Sequence, residues 1–294
     1  MLRGSIVALI TPFNEDMTIN FIKLRDLIEM HYFAQTDALL ILGTTSEAST
    51  LTSAEKDQIV EFVVRKNDKR MKIVVGVITN NTIEGVKDAK KYELFGADYL
   101  LVCPPYYNKT NSSGLIKHFN EIATSVKIPL IIYNVPSRIG MNISIAEFEQ
   151  LKKIPNIIGV KECNKDINHI LDLAQISNKK FNLYCGNDEL IYLFLSLGCK
   201  GIINVYGNIE PKVIKNLINI FENNEFLAKK YFFQYYDIFK ILSIEVNPIP
   251  IKELMNYIGL NVGSYRLPLD KMADKNREIL IEKYVNCQGI KKNY

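Results

Sequence analysis

Residues 129–162, PLIIYNVPSRIGMNISIAEFEQLKKIPNIIGVKE, contain the unit on which the whole chain is built. The stretch opens with a nearly uninterrupted apolar run at 129–134 and closes with another at 157–162. Between them, Ser144-Ile145-Ala146-Glu147 forms a helix-start signal ahead of Phe148 and Leu151. There a hydroxyl can cap the N3 backbone N–H and a carboxylate can reach back to the cap. Short apolar runs without polar alternation suit parallel strands that are covered on both faces. The unit reads as strand, helix, strand.

The same pattern extends in both directions. Apolar runs stand at 5–11, 38–43, 72–78, 98–103, 129–134, 157–162, 181–185 and 201–205. Thr52-Ser53-Ala54-Glu55 repeats the capping signal before Ile59, Phe62 and Val63, and Gly96, Gly198 and Gly259 fall where helices should stop. Eight strand-helix units result, the last helix covering about 211–221. No G-x-G-x-x-G follows the first run, so a closed barrel is favoured over a doubly wound sheet. The expected fold is α/β, a (β/α)8 TIM barrel forming a catalytic domain over 1–223, with a C-terminal extension of three helices over 224–294. Within the extension, Tyr231, Phe232, Phe233, Tyr235, Tyr236 and Phe239 read as packing residues.

Bulk composition narrows the function classes. The chain has 294 residues, 48% of them apolar and 23% charged, which suits one large core. A net charge of +4 with scattered basic residues, and only a Lys291-Lys292 pair near the end, offers no stripe for nucleic acid. Cys103, Cys163, Cys185, Cys199 and Cys287 are widely spaced and mostly in apolar runs, as expected for buried reduced thiols in a cytoplasmic protein. His31, His118 and His169 are too few and too separated to suggest a metal site. No apolar run approaches a membrane span, and the run after Arg3 is too short for a signal peptide.

Barrel active sites form at the carboxyl ends of the strands. The second strand ends in Gly43-Thr44-Thr45-Ser46-Glu47, whose backbone N–H groups and hydroxyls could hold a carboxylate, although the word also fits a plain turn. The fourth ends in Cys103-Pro104-Pro105-Tyr106-Tyr107, a stiff turn carrying two phenols that also fit packing. The fifth ends in Tyr133-Asn134-Val135-Pro136-Ser137-Arg138. A phenol there can relay protons and a guanidinium can grip a carboxylate. The sixth ends in Gly159-Val160-Lys161-Glu162. Burial at a strand tip lowers a lysine's pKa, and a neutral amine attacks carbonyls. Lys161 could otherwise snorkel to solvent or pair with Glu162. With the cradle, the phenol and the guanidinium converging on one mouth, a catalytic amine is the better reading.

The words Tyr-Asn-Val-Pro-Ser-Arg (133–138), Gly-Val-Lys-Glu (159–162), Pro-Pro-Tyr-Tyr (104–107) and Asn247-Pro248-Ile249-Pro250-Ile251-Lys252 also carry a family resemblance. From Ala8-Leu9-Ile10-Thr11-Pro12-Phe13 to Arg266-Leu267-Pro268-Leu269 the chain resembles the dihydrodipicolinate synthase family, of the Schiff-base superfamily shared with N-acetylneuraminate lyase. The resemblance implies that Lys161 forms an imine with pyruvate, whose carboxylate rests on Thr44 and Thr45. The derived enamine would then attack L-aspartate 4-semialdehyde, held by Arg138, as a step toward diaminopimelate and lysine. Tyr133, Thr45 and Tyr107 would relay protons, with Gly186 and Ile203 as further pocket wall. Tyr107 would enter from a neighbouring subunit of a homo-oligomer, a tetramer built as a dimer of dimers. No metal or organic cofactor is implied.

Two departures from the family pattern stand out. Ser46 replaces a glycine of the strand-two word, and if that position requires positive φ the serine is strained. Asn80, Glu84 and Tyr106, with Ala48 and Ser49, match a site at which lysine-inhibited members bind the pathway end product, but histidines are replaced by Ser53 and Lys56. An ammonium at Lys56 opposes a cationic ligand, so weak or absent feedback is expected. Two other functions remain open at this stage. One is a lyase for N-acetylneuraminate or 2-keto-3-deoxy sugar acids through the same lysine, against which Arg138 argues. The other is a non-catalytic barrel that senses pyruvate or lysine, which would have no need of a proton relay.

Overall fold

The computed structural model describes residues 2–291. Lys292, the second of the terminal lysine pair, lies outside the described residues. The strands are β1 (Gly4–Ala8), β2 (Ala38–Ile41), β3 (Lys72–Val77), β4 (Tyr99–Val102), β5 (Leu130–Asn134), β6 (Ile157–Glu162), β7 (Asn182–Cys185) and β8 (Gly201–Asn204). Each pairs in parallel with its sequence neighbours, and β8 closes on β1. The expected TIM barrel is what forms.

Nine helices accompany the barrel among the described residues: α1 (Phe21–Phe33), α2 (Ser53–Asn67), α3 (Thr82–Leu94), α4 (Ser112–Thr124), the short α5 (Pro136–Ile139), α6 (Ile145–Leu151), α7 (Ile167–Ile176), α8 (Ile191–Ser196) and α9 (Pro211–Asn223). Both capping boxes read from the sequence are present, Thr52 with Glu55 and Ser144 with Glu147. Each such cap stabilises its helix by about 1 kcal/mol. Gly96, Gly198 and Gly259 all adopt positive φ at helix ends, as their placement suggested.

Side chains alternate across each strand, and the alternation builds two buried layers. Leu40, Val74, Leu101, Ile131, Tyr133 and Tyr184 fill the lumen. Leu39, Val75, Leu100, Ile132, Val160 and Leu183 face the helices. Burying one such aliphatic side chain contributes about 1.5–3 kcal/mol. Three more helices follow: α10 (Glu225–Ile241), α11 (Ile249–Tyr257) and α12 (Asp274–Lys291). The aromatic cluster of α10 divides more than its sequence suggested. Phe232 and Tyr235 are buried, the Phe239 ring packs 5.2 Å from Tyr206, and Phe233 is 55% exposed. Phe239 also reaches the wall of the cleft at the barrel mouth.

Candidate active site

The register of β5 on β6 places Tyr133 opposite Lys161 and Asn134 opposite Glu162. Because faces alternate, the first pair points into the lumen and the second points out toward the helices. Lys161 therefore does not pair with Glu162. The Glu162 carboxylate is fully buried and accepts from Asn134 Nδ2 at 2.8 Å and Asn164 N at 2.6 Å, with His169 Nε2 at 3.2 Å.

The Lys161 side chain lies inside the barrel, and the residue is 6% exposed. Its Nζ sits 4.4 Å from the centroid of the Tyr133 ring, and it makes no hydrogen bond or ion pair among the described residues. Burial pushes its pKa down, Cys163 and Asp188 oppose the change, and the Arg138 guanidinium adds to it. A lowered pKa raises the neutral fraction, which is the nucleophilic form. Gly186 leaves room beside it, since a Cβ there would fall 3.1 Å from Lys161 Cε and 2.3 Å from Cys163 Sγ. Asp188 accepts from Tyr206 N at 2.7 Å and Val205 N at 3.1 Å, and burial raises its pKa to about 6.

The loop after β2 turns back on itself, with Ser46 N donating to Gly43 O at 3.2 Å and Glu47 N to Thr44 O at 3.0 Å. Burial is the chief cause of the raised pKa of the Tyr133 phenol, and the nearby Thr44 hydroxyl works against that shift. Thr45 Oγ1 is engaged elsewhere, accepting from Asn247 Nδ2 at 2.9 Å. Of the two loop threonines, Thr44 is the one whose hydroxyl acts on the Tyr133 phenol.

Arg138 is exposed at the mouth and donates to Asn247 O at 2.9 Å. Two hollows meet at Tyr133, Val135, Arg138 and Asn247. One, of about 420 Å³, runs past Cys163, Gly186 and Val205; the other, of about 250 Å³, runs past Thr44, Ala48 and Tyr106. Ile203 is packed among the lumen side chains, and the residue of that strand end on the cleft wall is Val205. Tyr107 does not join the site of its own chain: it is 92% exposed, with φ +67°. Among the described residues no group of three or more His, Cys, Asp or Glu side chains could hold a metal.

A family model described as the dihydrodipicolinate synthetase family matches residues 1–285. The chain belongs to this family. It is 42% identical over 293 residues to the 4-hydroxy-tetrahydrodipicolinate synthase of Brachyspira hyodysenteriae, covering 99% of each chain. It is 44% identical over 282 residues to the enzyme of that name from Thermoanaerobacter sp. strain X514, covering 95% of each. The structure of the dihydrodipicolinate synthase from Aquifex aeolicus superposes with a TM-score of 0.93 at 38% identity, over 97% of this chain and 99% of that one. The chloride-inhibited Acinetobacter baumannii synthase complexed with pyruvate gives a TM-score of 0.95 at 35% identity, over 98% and 99%.

Against the family pattern, Ser46 proves unstrained. The left-handed residue of the loop is Glu47, with φ +55°, while Ser46 donates its hydroxyl to Leu9 O at 2.7 Å. The condition under which Ser46 would be strained is not met, because the positive φ falls one position later. Of the end-product positions, Ala48, Ser49 and Tyr106 line the smaller hollow, and Asn80 Nδ2 donates to Tyr106 O at 3.2 Å. Glu84, Ser53 and Lys56 do not line it. Sequence reasoning missed Asn247, Cys163 and Asp188 as neighbours of the site. Asn247 opens a family word already singled out, and Asp188 follows Gly186 by two residues, so position alone could have flagged both. No helix among the described residues is long and apolar enough to cross a membrane.

Proposed function

We propose that this protein condenses pyruvate with L-aspartate 4-semialdehyde to give 4-hydroxy-tetrahydrodipicolinate, on the route to diaminopimelate and lysine. The observation that carries the reading is a buried amine without a hydrogen-bonding partner, 4.4 Å from a phenol ring, with a guanidinium at the same mouth. The neutral Lys161 amine adds to the pyruvate carbonyl, and loss of water leaves an imine. Once protonated, the imine draws electrons from the adjacent methyl group, which gives up a proton to form the enamine. The enamine carbon attacks the aldehyde, and the semialdehyde's own amine then closes on the imine carbon and releases the lysine. No metal or organic cofactor is needed for these steps, since the imine is the electron sink.

Thr45 and the backbone N–H groups of its loop suit the pyruvate carboxylate, and Arg138 suits the carboxylate of the semialdehyde. Gly186 leaves space beside the amine, with Ile203 in the lumen packing behind. Tyr133 and Thr44 form the proton relay within the chain. Tyr107 completes it from a neighbouring copy in a homo-oligomer, a tetramer arranged as a dimer of dimers. A left-handed tyrosine costs about 1–2 kcal/mol, and its exposure supports a role outside its own chain. The free cysteines support a cytoplasmic location. L-Lysine feedback is weak, because Ser53 and Lys56 stand where lysine-inhibited members carry histidines; strong inhibition at sub-millimolar lysine would overturn that expectation.

Borohydride reduction with pyruvate, followed by peptide mass analysis, tests the chemistry: the adduct is expected on Lys161, and one on another lysine overturns the assignment. Turnover of aspartate semialdehyde tests the substrate. Arg138→Ala should lose about 10²-fold in kcat/KM, the loss of a charge-assisted contact. Equal activity in parent and variant would remove the reason for this substrate.

A further inference from the structure

Lys252 is fully buried, and the reaction above makes no use of it. Standing on α11, it donates through Nζ to Glu47 Oε1 at 2.8 Å, to Thr11 O at 3.3 Å and to Ser264 O. Phe13 and Tyr265 present their rings to the ammonium at 4.5 and 5.3 Å. The other oxygen of Glu47 accepts from Arg266 N at 3.2 Å. Every ammonium proton has an acceptor, and both side chains of the pair are 0% exposed. A buried ion pair is a poor means of gaining stability, because apolar residues of the same volume serve as well. It does fix the position of its partners.

The residue it fixes lies two positions after Thr45. Glu47 holds a left-handed backbone that favours glycine, and it does so where the loop turns to present Thr44 and Thr45. A few residues before Lys252, Asn247 contacts both halves of the site. Its Nδ2 donates to Thr45 Oγ1 at 2.9 Å, and its carbonyl accepts from Arg138 at 2.9 Å. An amide donating to Thr45 Oγ1 occupies one lone pair of that oxygen. The hydroxyl proton must then point elsewhere, leaving it free to donate to a bound carboxylate.

We propose that segment 247–266 is a positioning clasp for both substrates: the Glu47–Lys252 pair and the Asn247 amide fix the pyruvate-carboxylate loop, and the Asn247 carbonyl sets Arg138. The clasp rests on the pyruvate reading above. Its residues act through others and are positioning residues. Disturbing them changes substrate affinity, whereas a merely structural role would change only the amount of folded protein.

The test is steady-state KM for both substrates, with borohydride trapping of pyruvate on the parent as the control. Glu47→Gln combined with Lys252→Met removes both charges at nearly constant shape. It should raise KM for pyruvate about tenfold or more, with kcat changed much less. Lys252→Arg, which keeps the charge, should recover most of that loss. Asn247→Ala, at a half-buried position, folds even if the buried double variant does not. It should raise KM about fivefold for pyruvate and also for the semialdehyde. If Asn247→Ala keeps both KM values within about twofold of the parent, the clasp is overturned while trapping still stands. A parent that traps no pyruvate overturns the functional reading and the clasp together.

Discussion

Two lysines lie buried among the described residues, Lys161 and Lys252, and they are used in opposite ways. Lys252 is saturated, with a carboxylate, two carbonyl acceptors and two aromatic rings around its ammonium. Lys161 has a ring and a glycine beside it and no acceptor among the described residues. Burial lowers the pKa of both, but only for Lys252 does a contacting carboxylate resist by charge and by hydrogen bond. Desolvation alone therefore does not make a nucleophile. What distinguishes Lys161 is desolvation without a partner, at the end of a strand that opens onto a cleft. The free energy spent on burying an unpaired amine is a cost to the fold that the site turns to use.

Removing each amine separates the two roles. Lys161→Met should abolish turnover, with kcat reduced about 10⁴-fold or more, as for loss of other covalent nucleophiles. The same variant should unfold at a higher denaturant concentration, gaining about 1–2 kcal/mol, because the unpaired amine is gone. A Lys161→Met protein that is less stable than the parent would mean the amine is paired in solution, and the contrast would collapse.

Lys252→Met should do the reverse. It strands a buried carboxylate and should cost about 3–5 kcal/mol of stability. Urea titration monitored at constant slope measures this directly. A loss below about 1 kcal/mol would show that Glu47 finds water or another donor, and the two lysines would then differ less than their surroundings imply.

Much of this contrast could be read in advance, and the unread part has a physical reason. The caps at Thr52 and Ser144 and the strand ends at Tyr133 and Lys161 depend on neighbours a few residues away. Periodicity and position suffice for them. Even the failure of Lys161 to meet Glu162 is contained in strand alternation, a rule available from the sequence alone. The partners of Glu47 and Thr45 are another matter. Lys252 lies 205 residues from Glu47, and Asn247 lies 202 from Thr45. No local pattern joins them. Which of two adjacent threonines meets the Tyr133 phenol depends on how one turn rotates, as does the left-handed residue falling at 47 instead of 46. Tyr107 points away from its own site, which one chain's sequence could only borrow from a resemblance.

Asp188 gives the finest test, since it is the nearest equivalent Lys161 has to the Glu47 of Lys252. Its oxygens are taken by Val205 N and Tyr206 N, so it supports the Lys161 ammonium through space only. Asp188→Asn removes that support, and the acid limb of pyruvate trapping should move to lower pH. Stability supplies a second readout with a definite sign. Burial raises the folded pKa of Asp188 from 3.8 to about 6. The folded protein thus holds a proton that the unfolded chain has lost, and this contribution is fully present below 3.8 and gone above about 6. The Asn variant lacks it. Relative to the parent it should gain up to about 3 kcal/mol as pH rises through that window, roughly two units at ~1.4 kcal/mol each. A parent-minus-variant difference that is flat between those pH values would place the Asp188 carboxylate in water. The acid limb of trapping should then stay where it is, because a solvated charge would no longer reach the amine.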